Sequence, residues 1–291
     1  MLKPIPAFFL LLISLLGLSG QTNPPPLRSS AAGFDWSHYD FNLPSQNSAN
    51  VQWWRVNGQS IRGTTRAPLP LQTWGQITRK GNTLYLHVLK WPANGQLIIG
   101  GLISDINDAA LLANKSLEVD SQRIDSFDME LDGLPARAPD KADSVIEIRC
   151  DGDIQTDTNR LLQPQFPADI LRAFDCVPHG VLRYGPGGIS GDYVTDWTSP
   201  GDSVSWPVRL IEPARYEVLI NYVATEDSAG GSFVVSLGPR TLHGRVKAGN
   251  PRIESLGAVS LEPGPFEITV SAGQIAGHEL FRLRGLELRS L

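Results

Sequence analysis

A chain of 291 residues is long enough to bury two separate cores. Its composition, 41% hydrophobic and 19% charged, is that of a globular protein and excludes a disordered or fibrous one. A net charge of −5 gives no overall electrostatic reason to bind nucleic acid or anionic lipid.

Residues 1–20 read as a secretory signal. Lys3 supplies a thin positive start, residues 7–18 are an almost unbroken apolar run, and Gly17, Ser19 and Gly20 precede Pro-rich polar sequence. The run falls short of the roughly 20 residues that span a bilayer. Cleavage leaves an exported chain, secreted or periplasmic, in which no other segment can cross a membrane; an uncleaved anchor is the alternative. Residues 21–50 read as a linker, stiffened at Pro24, Pro25 and Pro26 and too polar to bury a core. Phe34, Trp36, Tyr39 and Phe41 interrupt it, and either dock on the first domain or offer a surface to a partner; docking is the simpler reading.

Residues 51–152 read as a first β-sandwich. Within 74–92, Leu84, Leu86 and Val88 alternate with Tyr85, His87 and Leu89, the period of a strand buried on at least one face. Lys80, Gly81 and Asn82 in front, and Pro92, Ala93, Asn94 and Gly95 behind, are turn residues, and the apolar run Leu97, Ile98, Ile99 follows. Short strands are expected over 109–112, 116–119, 124–131 and 145–148. Asp128, Glu130 and Asp132, with Asp125, are placed on a solvated strand face rather than as a carboxylate pair for glycoside hydrolysis. Asp151, Gly152 and Asp153 read as a turn, because the other ligands of a calcium loop are missing.

These segments carry a resemblance. WGQITRKGNTLYLHVLKWPANGQLIIGGL, preceded by WWRVNGQSIRGTTRAPLP, is similar to the C-terminal region of family 29 glycoside hydrolases, the α-L-fucosidases. Trp53, Asn57, Gly58, Ile61 and Thr64 match the segment that ends the family's barrel. Trp74, Gly75, Thr78, Lys80, Gly81, residues 84–88, Trp91 and Pro92 match the opening of its β-sandwich. Gln59 stands where the family tends to have Glu and Arg62 where it tends to have Tyr, which puts docking on a barrel in doubt. The family's barrel carries its nucleophile, its acid/base and its sugar-binding His and Trp residues. Residues 21–50 leave no room for one, so the resemblance implies an accessory region without the catalytic equipment.

Residues 153–180 read as a connector, with two helical turns over 167–174 opened by Pro167. The cysteines, Cys150 and Cys176, can close one disulfide in an oxidising compartment, worth about 3 kcal/mol on loop-entropy grounds. The alternative is two buried thiols. Neither has metal-type spacing.

Residues 181–291 read as a second sandwich. Tyr216, Val218, Ile220 and Tyr222 share one face of a strand, and Phe233, Val235 and Leu237, then Phe266, Ile268 and Val270, repeat the device. In the last strand Phe281 and Leu283 point inward and then Leu286 and Leu288 do, a change of phase at Gly285 that predicts a bulge. The fold class expected is therefore all-β: two β-sandwich, jelly-roll-like domains joined by a connector. The pattern of SVSWPVRLIEPARYEVLINYVATEDSAGGSFVVSLG resembles carbohydrate-binding jelly-roll modules appended to bacterial glycoside hydrolases.

Such modules stack sugar faces on exposed aromatic rings and fix hydroxyls with polar side chains. Tyr184, Tyr193, Trp197, His243 and His278 are the candidate glycan-binding residues, the first three in the Gly-rich run YGPGGISGDYVTDW. Trp206 is assigned to the core, and a structural role competes with binding for every candidate. Asp192, Asp196 and Asp202 can hold a structural calcium of the kind related modules carry; no other cofactor is implied. Three readings of function compete. One is an exported, non-catalytic protein that binds a glycan or polysaccharide. The second is part of a split α-L-fucosidase completed by a barrel in another chain, which predicts exposed apolar surface at Trp53, Trp54 and Trp91. The third is a structural remnant without a ligand.

Overall fold

The structure, a computed structural model, describes residues 48–185 and 193–291. The expected signal, most of the linker with Phe34, Trp36, Tyr39 and Phe41, and Asp192 lie outside the described residues. The described chain is mostly β, with one short α-helix and several antiparallel sheets, as expected of β-sandwich domains. It divides between Asp157 and Thr158 into two compact units.

The first unit opens with helix α1 (Ser48–Asn57). Strands β1 (Thr65–Arg66), β2 (Gly75–Lys80), β3 (Thr83–Val88), β4 (Leu97–Ile99), β5 (Ile106–Leu111), β6 (Asp120–Arg123), β7 (Met129–Asp132) and β8 (Ser144–Cys150) follow. They form a five-stranded sheet in the order β1-β2-β3-β8-β5 and a three-stranded sheet in the order β4-β7-β6. The β2–β3 hairpin turns at Gly81 and Asn82, with Lys80 opposite Thr83. β3 is the centre of its sheet and is buried on both faces: Leu84, Leu86 and Val88 on one, Tyr85 and His87 on the other. That second face takes α1, whose Trp53 and Trp54 pack in one cluster with Ile61, Tyr85, Leu112 and Val145.

Two expectations in this unit are corrected. Residues 116–119 are a turn rather than a strand, and the run 124–131 is broken by the Asp125 carboxylate, which accepts the Phe127 and Asp128 backbone N–H groups. Asp128 is not solvated. It is fully buried and accepts the Gly101 N–H at 2.8 Å.

A polar cluster lies under α1. His87 and Asp143 are both fully buried, with Nδ1 and Oδ2 2.9 Å apart. Thr78 Oγ1 stands 3.3 Å from His87 Nε2 and donates to the Ser60 carbonyl. Trp53 donates its indole N–H to the Asp143 carbonyl at 2.8 Å and stacks on the His87 imidazole. Removing one partner leaves the other's buried polar group unsatisfied, a cost of about 1–3 kcal/mol. Burial pushes the Asp143 carboxyl up, against the field of His87 and with that of Asp140.

The second unit comprises β9 (Arg160–Leu161), β10 (Ala168–Arg172), β11 (Val177–His179), β12 (Arg183–Tyr184), β13 (Val194–Thr195), β14 (Ser203–Leu210), β15 (Ala214–Ala224), β16 (Ser232–Leu237), β17 (Arg240–Arg245), β18 (Gly249–Leu261), β19 (Gly264–Ala272) and β20 (Arg282–Ser290). One sheet runs β12-β13-β20-β15-β18, with β10 also on β20; the other runs β11-β14-β19-β16-β17, with β9 parallel to β14. Their inner faces share one core containing Trp197, Trp206, Tyr216, Tyr222, Phe233 and Phe281.

The helix expected over 167–174 is instead strand β10 followed by a short 3-10 turn, Ala173–Asp175. Asp169 explains the difference. Its buried carboxylate accepts the Gln163 N–H at 2.9 Å and the Tyr216 hydroxyl at 3.3 Å, and Leu171 points inward beside it. The Cys150–Cys176 disulfide is not formed. Each thiol is buried within a different unit, and burial pushes them up to about 11 and about 12, respectively.

The bulge expected in the last strand is present: β15 pairs Asn221 with Gly285 and Tyr222 with Leu283, so Arg284 is the extra residue. Gly285 has φ +144°, and a Cβ there would lie 2.1 Å from the Leu171 carbonyl oxygen of β10. Gly285→Ala should therefore destabilise the chain by about 3 kcal/mol or more in urea unfolding; a loss below about 1 kcal/mol would contradict this geometry.

Asp143 gives a pH prediction. Its proton is held more tightly in the folded chain than at the ordinary value of 3.8. The stability tied to that proton is complete below the unfolded value and falls as pH rises through the folded one. Asp143→Asn removes the titration, so urea midpoints measured from about pH 3.5 to about pH 8 should shift in the variant's favour as pH rises. A gap that stays constant with pH would refute the assignment.

Candidate functional site

β12 and β13 are two-residue strands that pair Arg183 with Thr195 and Tyr184 with Val194, and Val194 pairs in turn with Leu283 of β20. Alternation across this register sends Tyr184, Val194 and Leu283 to the core side and Arg183, Thr195, Tyr193 and Arg282 to the outer face. Directly opposed residues on neighbouring strands point the same way, so the outer side chains form one continuous surface.

Tyr193 lies over Gly185 in this surface. A Cβ on Gly185 would fall 2.4 Å from the Tyr193 ring, so glycine is what admits the ring. The Arg282 guanidinium sits 5.7 Å from the centre of the Tyr193 ring, in cation–π range. Glu279 organises the neighbours: its carboxylate accepts Arg282 Nε at 3.0 Å, Thr195 Oγ1 at 2.8 Å and the Asp196 N–H at 3.4 Å. Asp196, whose φ is +69°, pairs with Arg183.

The same surface continues to His278 and Asp227, whose Nδ1 and Oδ2 are 3.2 Å apart with both side chains more than half exposed. The Thr225 hydroxyl, and then His278, hold the Asp227 carboxyl below its usual range. Ser228 Oγ donates to the Glu279 carbonyl at 2.7 Å and anchors the Glu226–Ser228 turn. An aromatic ring, two guanidinium groups and several acceptors thus share one surface of the sheet.

The structure separates the candidates named from sequence. Tyr193 and His278 lie on this surface. Tyr184 lies beneath it, half-buried, its hydroxyl donating to the Cys176 carbonyl at 2.8 Å. Trp197 does not offer an exposed ring: it is fully buried, donates to the Val194 carbonyl at 3.0 Å and packs edge-on against Phe281. Trp206 is a core residue, donating to the Arg172 carbonyl. His243 lies elsewhere, exposed on β17 at the edge of the other sheet.

Asp202 is buried and its carboxylate accepts the Thr198 and Ser199 N–H groups at 2.9 and 2.8 Å, the work of a turn cap rather than a metal ligand. Among the described residues no group of three or more His, Cys, Asp or Glu side chains is placed to hold a metal ion. Arg183, Arg282, Glu279 and Asp227 were not singled out from sequence. For Arg282 a signal existed: it precedes the inward Leu283 and so faces outward.

Trp53 and Trp54, the positions that would be exposed if a missing barrel had packed on them, are 2% and 3% exposed. Trp91 is half-buried and donates to the Pro135 carbonyl. No (β/α) barrel is formed among the described residues.

No protein-family profile matches the sequence, and no curated protein does. Among solved structures, the chain is similar to the α-L-fucosidase from Vibrio sp. strain EJY3, at 17% identity and a TM-score of 0.55, over 82% of this chain and 44% of that one. It is also similar to α-L-fucosidase isoenzyme 1 from Paenibacillus thiaminolyticus, at 33% identity over 35% of this chain and 25% of that one, with a TM-score of 0.31. A family 35 carbohydrate-binding module from Clostridium thermocellum is similar at 15% identity over 43% of this chain and 98% of the module, with a TM-score of 0.34. The likeness to the Vibrio enzyme is one of fold, and the chain spans less than half of that enzyme's length.

Proposed function

We propose that this chain is a secreted or periplasmic, non-catalytic accessory protein related to α-L-fucosidases, which binds carbohydrate through the outer face around Tyr193. The observation that carries the reading is the Tyr193 ring with Arg282 over it, on the face that also carries the Arg183–Asp196 pair and, linked through Glu279, His278 with Asp227. A sugar presents C–H groups and a rim of hydroxyls; an aromatic ring with an arginine over it and acceptors nearby offers a partner to both. The fold shared with an α-L-fucosidase supports a glycan, and makes fucosylated glycans the first to try. Burial of Trp53 and Trp54 speaks against a vacated barrel interface and so against the split-enzyme reading.

The test uses the chain from Gln21 onward on a glycan array that includes fucosylated oligosaccharides, with aryl-fucoside turnover assayed on the same sample. Saturable binding without turnover is expected, weakened about tenfold or more in Tyr193→Ala and in Arg282→Ala. Trp197→Ala is expected to destabilise by about 3–5 kcal/mol, because it empties a core site. It therefore serves as the control for unfolding. Absence of binding to any glycan would overturn the proposal; turnover that appears only with a barrel-bearing chain would establish the split enzyme instead.

A further inference from the structure

The chain-wide charge of −5 hides a local reversal. The stretch RTLHGRVKAGNPRI, from Arg240 to Ile253, carries Arg240, Arg245, Lys247 and Arg252, with His243, and contains no acid. It forms β17, the edge strand of one sheet, and the start of β18, the edge strand of the other, so its cations collect along one margin of the second unit.

Thr241, His243 and Arg245 point to one side and all are exposed; the Lys247 and Arg252 side chains are 59% and 38% exposed. The nearest acid in sequence, Glu254, is already engaged by the Tyr222 hydroxyl at 2.9 Å, Lys247 Nζ at 2.6 Å and Arg252 at 3.6 Å. Arg245 reaches only the Gly230 carbonyl, at 3.5 Å, and neither Arg240 nor Arg245 has an ion-pair partner among the described residues. Exposed Ile253 and half-buried Leu242 and Leu256 add apolar surface to the same margin.

From these observations we infer that the margin formed by β17 and the start of β18 is a second binding surface, for a linear polyanionic polysaccharide. Arg240 and Arg245, about 17 Å apart at the usual rise per residue, stand on opposite faces of the edge strand and bracket its free margin, which suits an extended polymer lying along that margin better than one compact ion. A nucleic acid fits less well, because the stretch holds no aromatic residue on which a base could stack. The choice of a sugar polymer rests on the carbohydrate reading above; the surface is distinct from the one around Tyr193. Positive side chains on an edge strand also keep sheets from pairing edge to edge, and the experiment separates that role from binding.

The full chain is titrated with heparin as the sulfated probe, polygalacturonate as the carboxylated probe, dextran as the neutral one and a DNA duplex. Binding of at least one anionic polysaccharide, and not of dextran, is expected, with affinity falling as salt rises. The double variant Arg240→Glu, Arg245→Glu should weaken that binding about tenfold or more and flatten its salt dependence. Tyr193→Ala should leave it unchanged while still losing any glycan found on the array, so failure of one surface is distinguishable from failure of the other. Four outcomes overturn the inference: no binding of either anionic polysaccharide, equal loss in Tyr193→Ala, DNA binding as tight as the polysaccharide at the same salt, or unchanged affinity in the double variant, which with new self-association would leave edge protection as the role of these cations.

Discussion

The last strand of the chain closes the second unit, and its closure turns on one residue without a side chain. β20 pairs with β15 along one edge; along the other it pairs first with β13, at Leu283, and then with β10, from Gly285 to Arg289. Three strands far apart in sequence are fastened to it. The extra residue Arg284, with Gly285 at positive φ, lies where the β13 and β10 pairings meet and shifts the phase of the strand there. The shift keeps Leu283 and then Leu286 and Leu288 in the core while Arg282 stays on the outer face beside Tyr193. The same bulge therefore serves the packing and the positioning of the candidate site.

The first unit shows how a polar cluster can be buried with definite partners. Between α1 and the sheet, where apolar side chains would suffice, His87, Asp143 and Thr78 are buried with them. A buried pair of this kind adds little net stability but penalises every arrangement that separates its members. Here it specifies how the Trp53 helix sits, through the indole hydrogen bond to the Asp143 carbonyl and the imidazole stack. Asp169 plays the same part in the second unit, where it joins β10 to Tyr216 of β15.

The two surfaces on the second unit use different physics. On the surface around Tyr193 the guanidinium groups are paired, Arg282 with Glu279 and Arg183 with Asp196, and His278 stands against Asp227. Such a surface presents oriented hydrogen bonds and a ring but little net field. Along the β17 margin, Arg240 and Arg245 have no ion-pair partner among the described residues, and a field is what that margin offers.

Much of this was legible in the sequence because it is written in local patterns. Period-two alternation gave β3, β15, β16 and β19 and their inward faces, the turn residues gave the β2–β3 hairpin, and the phase change gave the bulge at Gly285. Local patterns failed where a polar residue sat on an inward face: Asp169 hid the alternation of β10 behind a helix-like spacing, and Asp128 looked solvated. What only the tertiary structure decided was which rings are open. Trp197 and Tyr193 are four residues apart in one Gly-rich run, and nothing local says that one packs on Phe281 in the core while the other lies under Arg282 on the outer face. Pairing the cysteines likewise requires that their thiols meet, and sequence separation is silent on that; the fold buries each within its own unit. Periodicity fixes the side of a strand on which a residue stands, but exposure depends on what the rest of the chain brings against that side.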